Sequence, residues 1–537
     1  MNAAWTPTCG ALLLLVILLV VKGIKRAYLS PLRAVPNASV LAPFSRLLWA
    51  FPQEHFGNIT LALPRLHEKL GPLVRIGPNE VSFYSLDVYD LVHKVRSEFA
   101  KDPRIYGEFV QDGHPALFSI TDAEEHAKRR RLMGQLFNLS KMDNLRELML
   151  QQVDGFVRAL KQGGHRPVDL VPACRALEAD IVSSFGFGTA VGAISAWSRG
   201  EELAMVAKND EKATWMPLIT NFPRLCLVWE RLEDLVFAAT GWHTAYHRAM
   251  QDFDSWSAAG LQSNQQAPKQ QQQQHQQQQP TPSSPFPNFI RVMLKSGLAP
   301  QSALSEAKEM LGPGTDTTSA SLAHILWALA HNSAYQDELY GDLAAAGFPT
   351  HMGGLEAVAK LKACVKEGVR WAGAAAAMLP RVVPEGGVEL VGGTWVPGGT
   401  ILSSSPIWYL RDKTAFPNPD EYDPYRWLSA DGQRLSDGLA LRDRYYIPFS
   451  KGSNVCIGAH FSYYELYLAV SHVVRNFRIR LVDAPSESRG LLSSISACAN
   501  SRFHPVQLPP RREWVAAVPT QKMLVVFEER REEKEKM

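Results

Sequence analysis

A cysteine set among glycines, in the stretch PFSKGSNVCIGAH from Pro448 to His460, constrains this chain more than any other feature. Cys456 has no second cysteine at the short spacing of a zinc site, and its nearest neighbours of that type, Cys364 and Cys498, lie far off on either side. Three roles remain: a buried structural thiol, a nucleophile, or the single thiolate ligand of a cofactor that brings its own remaining ligands. Phe449 and Gly452 stand seven and four residues before the cysteine and Gly458 two after it. Glycines permit positive φ and let backbone amides close on a sulfur, where hydrogen bonds lower the thiol pKa and tune donation to a metal. A structural thiol needs none of this. The pattern favours a metal ligand.

The other end of the chain is equally pointed. From Met1 to Val21 there is no charge, and Ala11 to Val21 is unbroken apolar sequence. Counted from Ala3, the segment reaches the roughly 17–25 residues of a membrane span. Lys22, Lys25 and Arg26 follow it, so the positive-inside rule places the rest of the chain in the cytosol. A cleaved signal peptide would carry its positive charge before the apolar run. Residues 1–26 therefore read as an anchor with a basic stop, and 27–45, with Pro31, Pro36 and Pro43, as a stiff link. The sequons at Asn37, Asn58 and Asn138 should then stay unmodified, because glycosylation is lumenal.

Residues 46–537 read as one large, mainly helical domain with a small β portion. Gly71 to Ser85 predicts two short strands around a Gly-Pro-Asn turn; Leu86 to about Gly260 is helical in period. The glutamine-rich tract 264–285 reads as a low-complexity loop between two helices. Helical texture returns over Gln301–Ala330 and Leu361–Trp371, and a last helix should follow Cys456. The tail EERREEKEKM is a solvated charge run. A net charge of +3 over 537 residues is too mild for a nucleic-acid partner. Six scattered cysteines fit a reducing compartment.

Three further patterns bear on chemistry. KEGVR places Glu367 and Arg370 one helical turn apart, ordinarily a surface pair of little worth, but Arg426 in FPNPDEYDPYRWL offers a second partner for a buried glutamate. Asp316-Thr317, in EMLGPGTDTTSASLAHILWALA, puts an acid and an alcohol in a mostly apolar helix. That is costly unless they meet water or a ligand, although a threonine can also bond back to a carbonyl. In DAEEHAKRRRLMGQLF, His126 and Arg130 share a helix face and can clamp carboxylates. The run Lys128 to Arg131 is a solvated face or a docking patch.

Taken together, these segments resemble the cytochrome P-450 superfamily of haem-thiolate monooxygenases, most closely its filamentous-fungal secondary-metabolism members. FSKGSNVCIGAH is similar to the family's haem loop, KEGVR to its Glu-x-x-Arg helix, DPYRW to the segment completing that triad, and GPGTDTTS to its oxygen-activating helix. The resemblance implies the P-450 fold behind a transmembrane helix, with haem b as cofactor and Cys456 as its axial thiolate. It implies propionate contacts from His126, Arg130 and Arg381, a proton-delivering pair in Asp316 and Thr317, and a structural triad of Glu367, Arg370 and Arg426. It also implies electrons from NADPH through a separate reductase, a hydrophobic small-molecule substrate, and residence in the endoplasmic reticulum membrane. The reaction implied is monooxygenation in secondary-metabolite tailoring. A reductase-independent isomerase or dehydratase, or a non-catalytic haem-binding member, is the alternative. Two positions depart from the pattern. Asn454 stands where the family usually has arginine, losing one charge-assisted contact, and Pro313 stands where alanine or glycine is common, inside an expected helix.

Overall fold

The computed structural model describes residues 7–110, 112–274, 288–436, 438, 440–482 and 503–530. The first six residues lie outside them, as does the charged tail beyond Arg530. The opening of EERREEKEKM is not a solvated run, because Glu528 and Glu529 end the strand Leu524–Glu529 and Arg530 donates to the carbonyls of Val474 and Phe477.

Three helices build the centre. Leu170–Phe187 is buried on nearly every side, Pro313–Ala330 packs against it, and Ala459–Asn476, which begins three residues after Cys456, touches both. Leu, Val, Ala and Phe on all faces of Leu170–Phe187 explain its depth, since a helix apolar all round is stable only inside. Two of its buried positions are nevertheless acidic. Asp180 caps the next helix by accepting from the backbone N–H groups of Gly192, Ala193 and Ile194 at 2.7, 2.8 and 2.9 Å.

Glu178 is the second. It meets Glu465 of Ala459–Asn476 in the core, both side chains almost fully buried. Burial pushes both carboxyls up from their ordinary value, and repulsion from Glu178 adds to the rise at Glu465. A folded pKa above the unfolded value, ~4.3, means that the folded state holds the extra proton. Stability therefore falls as pH rises above that value until the pair ionises. Glu465→Gln should be increasingly more stable than wild type as pH goes from 5 to 9, read as the difference in Tm. An unchanged difference across that range would show that the pair is not sharing protons.

The β portion is small. Its five-stranded sheet runs Leu73–Gly77, Glu80–Phe83, Ile401–Ser403, Arg381–Val382, Ala100–Lys101. The first two form the hairpin expected between Gly71 and Ser85; Glu80–Phe83 pairs parallel with Ile401–Ser403, and the remaining pairs are antiparallel. This sheet brings Lys101 directly opposite Arg381.

Four expectations need correction or narrowing. The segment read as an anchor forms a helix, Pro7–Tyr28, with Leu14, Ile17, Leu18, Val20 and Val21 exposed. Among the described residues, however, no helix is long and apolar enough to cross a membrane, and the proposed span begins outside them.

The proline-rich link is no free spacer. It makes a 3-10 turn at Pro31–Ala34, buries Leu32 and Val35, and bridges Arg75 through Asn37. Its apolar residues had a core within reach, which outweighs the stiffness of the prolines.

The glutamine tract is helical in its first part, because Ala245–Gln274 continues through it, and Asn264 is buried, donating to the carbonyl of Phe187 at 2.8 Å. Glutamine and alanine are good helix formers, so a helix already started can run on. Residues 275–285 of the tract lie outside the described residues.

Pro313, finally, is not inside a helix. Pro300–Leu311 ends at Gly312, whose ψ of −87° breaks the run, and Pro313 begins Pro313–Ala330. At the first helical position a missing N–H costs nothing, so the interior-proline penalty does not apply.

Candidate haem site

The cysteine loop is held from outside itself. Lys451 Nζ reaches Asp90 at 2.6 Å, Ser450 Oγ meets Tyr89 OH at 2.6 Å, and Ser453 Oγ accepts from the N–H of Arg96 at 2.8 Å. Gly452 has a φ of +70°, and a Cβ there would come within 2.0 Å of the carbonyl oxygen of His93. It is glycine because the loop crosses the end of Leu86–Val92 at that point. Gly458 differs, with a φ of −81° and the N-cap position of Ala459–Asn476. No positive φ is needed there. Its backbone N–H is directed at the Cys456 sulfur. Phe449 is half-buried, accepts from the Cys456 N–H at 2.9 Å, and stacks edge-on against Tyr463.

Cys456 itself is solvent-accessible, yet so closely surrounded that burial raises its thiol, opposed by the Gly458 N–H and the positive charge of Arg130. Arg130 comes from Ala123–Phe137, which Asp122 caps by accepting from the Glu125 N–H. His126 lies one turn earlier and is buried. Burial, then the charges of Lys101, Arg130 and Arg381, lower the His126 imidazole to about 4. Arg381 is buried and donates to Tyr106 OH at 2.7 Å and to the Pro380 carbonyl at 2.9 Å. The helix and the sheet thus bring His126, Arg130 and Arg381 together beside Cys456.

Two members of this cluster escaped the sequence reading. Lys101 is buried, donates to the carbonyls of Leu117 and Phe118, and has its amine lowered to about 7 by burial and then by Arg381 and Arg130. His93 is buried with neither ring nitrogen hydrogen-bonded, and burial and Arg381 depress its imidazole. Lys101 is legible only through its strand partner, Arg381, hundreds of residues away; His93 had no sequence signal.

Like charges directly opposite on a sheet repel, and burial sharpens the cost. Lys101 facing Arg381, with Arg130 alongside, is a place where an anion stabilises the charged amine, and the neutral His126 beside them can donate a hydrogen bond to it. An iron-bound ring bearing two carboxylates satisfies both halves of the site: thiolate for the metal, cations for the carboxylates. The residues fit haem. Asn454, half-buried in the loop turn Gly452–Asn454, supplies no charge.

The basic run divides. Arg129 turns inward, paired with the buried carboxylate of Glu306 at 2.5 Å, while Lys128 and Arg131 are exposed and Lys128 pairs with Glu124. A four-residue docking patch is reduced to two exposed charges.

Asp316 and Thr317 occupy the first turn of Pro313–Ala330. Asp316 is half-buried and lines a cavity of about 50 Å³ together with Arg175 and the segment Ala516–Pro519. Thr318, which the sequence did not single out, ties this helix to the cysteine helix by donating to Ser462 Oγ at 3.0 Å.

Glu367, Arg370 and Arg426 assemble as expected. Arg370 Nε and Nη2 each reach Glu367 at 2.8 Å, Arg426 Nε at 2.8 Å, Trp427 Nε1 at 2.9 Å and the Asp423 N–H at 3.0 Å. The remaining Arg370 donors go to the carbonyls of Leu410, Pro419 and Glu421. Every charge in this buried cluster is met.

The Cytochrome P450 family model matches residues 42–494. Among similar proteins, cytochrome P450 monooxygenase macH of Penicillium terrestre is 26% identical, over 87% of this chain and 90% of its own. Averantin hydroxylase of Aspergillus parasiticus is 26% identical over 88% and 92%, and cytochrome P450 monooxygenase tazI of Aspergillus terreus 27% over 87% and 91%. A glycine-bound cysteine, a cationic cradle beside it and a match spanning most of the chain lead to one conclusion: the chain belongs to the cytochrome P450 family, whose haem b is held by an axial thiolate.

Proposed function

We propose that this protein is a membrane-bound monooxygenase that oxidises a hydrophobic small molecule as a tailoring step in fungal secondary metabolism. The observation that carries the reading is the buried Lys101–Arg381 pair with His126 and Arg130, whose charge reaches Cys456. Cys456 supplies the thiolate, and the Gly458 N–H steadies it. Arg130, Arg381, His126 and Lys101 receive the carboxylates, with His93 a further donor in place of the arginine that Asn454 lacks. Bound haem supplies the oxygen-activating chemistry, placing one oxygen atom of O₂ in the substrate and the other in water.

Asp316 and Thr317 move the protons that this division of oxygen requires. Asp316→Asn should lower product formation about 10²-fold while leaving haem binding intact, since general acid–base groups contribute on that scale. Equal losses of product and haem would assign Asp316 to structure.

Electrons arrive from NADPH through a separate flavoprotein reductase, with Lys128 and Arg131 on the docking side. The relatives named as monooxygenases of fungi support the pathway class, within which polyketide, polyketide–peptide hybrid, terpenoid and alkaloid skeletons all stay open. The anchor reading rests on the apolar helix Pro7–Tyr28 followed by basic residues, with the domain on the cytosolic face of the endoplasmic reticulum. Exposed Leu225, Val228, Trp229, Leu232 and Leu235 on Pro223–Thr240 offer a second lipid-facing surface. Sugar on Asn37, Asn58 or Asn138 would place the domain in the lumen instead.

The test is the difference spectrum of reduced, carbon-monoxide-treated protein, followed by turnover with reductase and NADPH. A strongly red-shifted Soret band and NADPH-dependent oxygenation support the reading. No haem signal would overturn it, and turnover without NADPH would favour rearrangement chemistry.

A further inference from the structure

A cavity of about 120 Å³ lies between the start of helix Ile59–Leu70, the segment Ala377–Pro380 and the strand Arg511–Glu513. Its wall includes Tyr106 and Pro380, the two groups that accept hydrogen bonds from Arg381, so it borders the cationic cradle. Most of the lining is apolar, as a pocket for a hydrophobic substrate requires. Two kinds of polar residue stand at its edge.

Arg46, Glu54, Glu80 and Arg104 satisfy one another. Arg46 binds Glu54 at 2.6 Å and Glu80 at 3.0 Å, and Arg104 binds Glu80 at 2.9 Å. They need no ligand.

Glu513 and Thr60 are different. Glu513 is 1% exposed and Thr60 2%. Oε1 of Glu513 accepts from Arg511 at 2.6 and 2.8 Å and from Arg411 at 3.2 Å, which balances its charge. Its Oε2 has no hydrogen-bond partner among the described residues, and neither does Thr60 Oγ1, although both residues line the same cavity. A buried oxygen left unpaired is costly, so a native site that keeps two of them awaits a partner. Because two arginines already compensate Glu513, the missing partner need carry no positive charge. A hydroxyl suits both atoms: it donates to the carboxylate and accepts from the threonine.

We propose that the substrate carries a neutral hydroxyl, alcohol or phenol, on an apolar skeleton, and that Glu513 and Thr60 receive it and so orient the skeleton for oxidation. This deepens the monooxygenase reading of the same site and rests on it. A cavity built to hydrogen-bond a hydroxyl rejects the analogue lacking one, because its own polar atoms are then left bare.

The test uses two probes that differ by hydroxyl for methyl, 2-naphthol and 2-methylnaphthalene. Equilibrium dialysis against haem-loaded, full-length protein, corrected for detergent partition, reads binding whether or not a probe approaches the iron. Wild type should bind 2-naphthol about tenfold tighter than its methyl analogue, the size expected of one hydrogen bond to a charged acceptor. Glu513→Gln should bring the ratio close to one, and Thr60→Val should cut it about threefold, both with the carbon-monoxide band intact. If that band is normal and wild type shows no preference, the proposal is overturned. If Glu513→Gln fails to fold because Arg411 and Arg511 lose their counter-charge, Thr60→Val decides, and an unchanged ratio there overturns the proposal. A missing band in wild type sinks the monooxygenase reading instead, since the dialysis result does not depend on it.

Discussion

Cys456→Ala should abolish the red-shifted carbon-monoxide band and all NADPH-dependent oxygenation, the largest effect expected of any single substitution. The side chain it removes is the one thiol that the loop Phe449–Gly458 offers a metal, with the Gly458 N–H and Arg130 both acting on its sulfur. Nothing in the fold depends on that sulfur. The loop is anchored by Lys451–Asp90, Ser450–Tyr89 and the Arg96 N–H on Ser453, all of which survive. The variant should therefore keep its far-ultraviolet circular dichroism and lose its iron chemistry. Retention of the band would assign the iron to another ligand and overturn the site.

Glu367→Gln should act in the opposite way, through the fold. The carboxylate is fully buried between two guanidiniums, and breaking such a group by removing one partner costs about 3–5 kcal/mol because a charge is left buried without compensation. Arg370 is the residue stranded. Unfolding in urea should show the loss directly, together with poor haem retention. A midpoint unchanged from wild type would mean that water reaches the cluster. The pH dependence has a definite sign. Burial pushes the Glu367 carboxyl up, but Arg370 and Arg426 outweigh it and hold it below the usual carboxylate range. Its stabilisation is therefore present above the unfolded value of ~4.3 and is lost as pH falls through the folded value. The gap between wild type and Glu367→Gln should close in acid. Glu465→Gln, governed by a raised carboxyl, should diverge from wild type in base.

Much of the site was legible from local pattern. The glycines around Cys456, the one-turn spacing of Glu367 and Arg370, and the shared helix face of His126 and Arg130 are short-range features, and the structure keeps all three. Where local pattern misled, a neighbour distant in sequence had intervened. Pro313 reads as an interior proline until Gly312 ends the preceding helix, and the basic run reads as a surface patch until Glu306 draws Arg129 inward. The link before the domain reads as stiff, and only the structure shows the core taking Leu32 and Val35.

By itself the sequence determined a cysteine loop ahead of a helix, the one-turn pairing of Glu367 with Arg370 and a mainly helical domain, because helix period, glycine conformation and one-turn charge spacing operate within a few residues. Only the tertiary structure decided that Lys101 faces Arg381, that His93 lies under the cysteine loop, and that Thr60 and Glu513 line one cavity. Strand register and helix packing join residues hundreds of positions apart, and no periodicity within either segment encodes its partner.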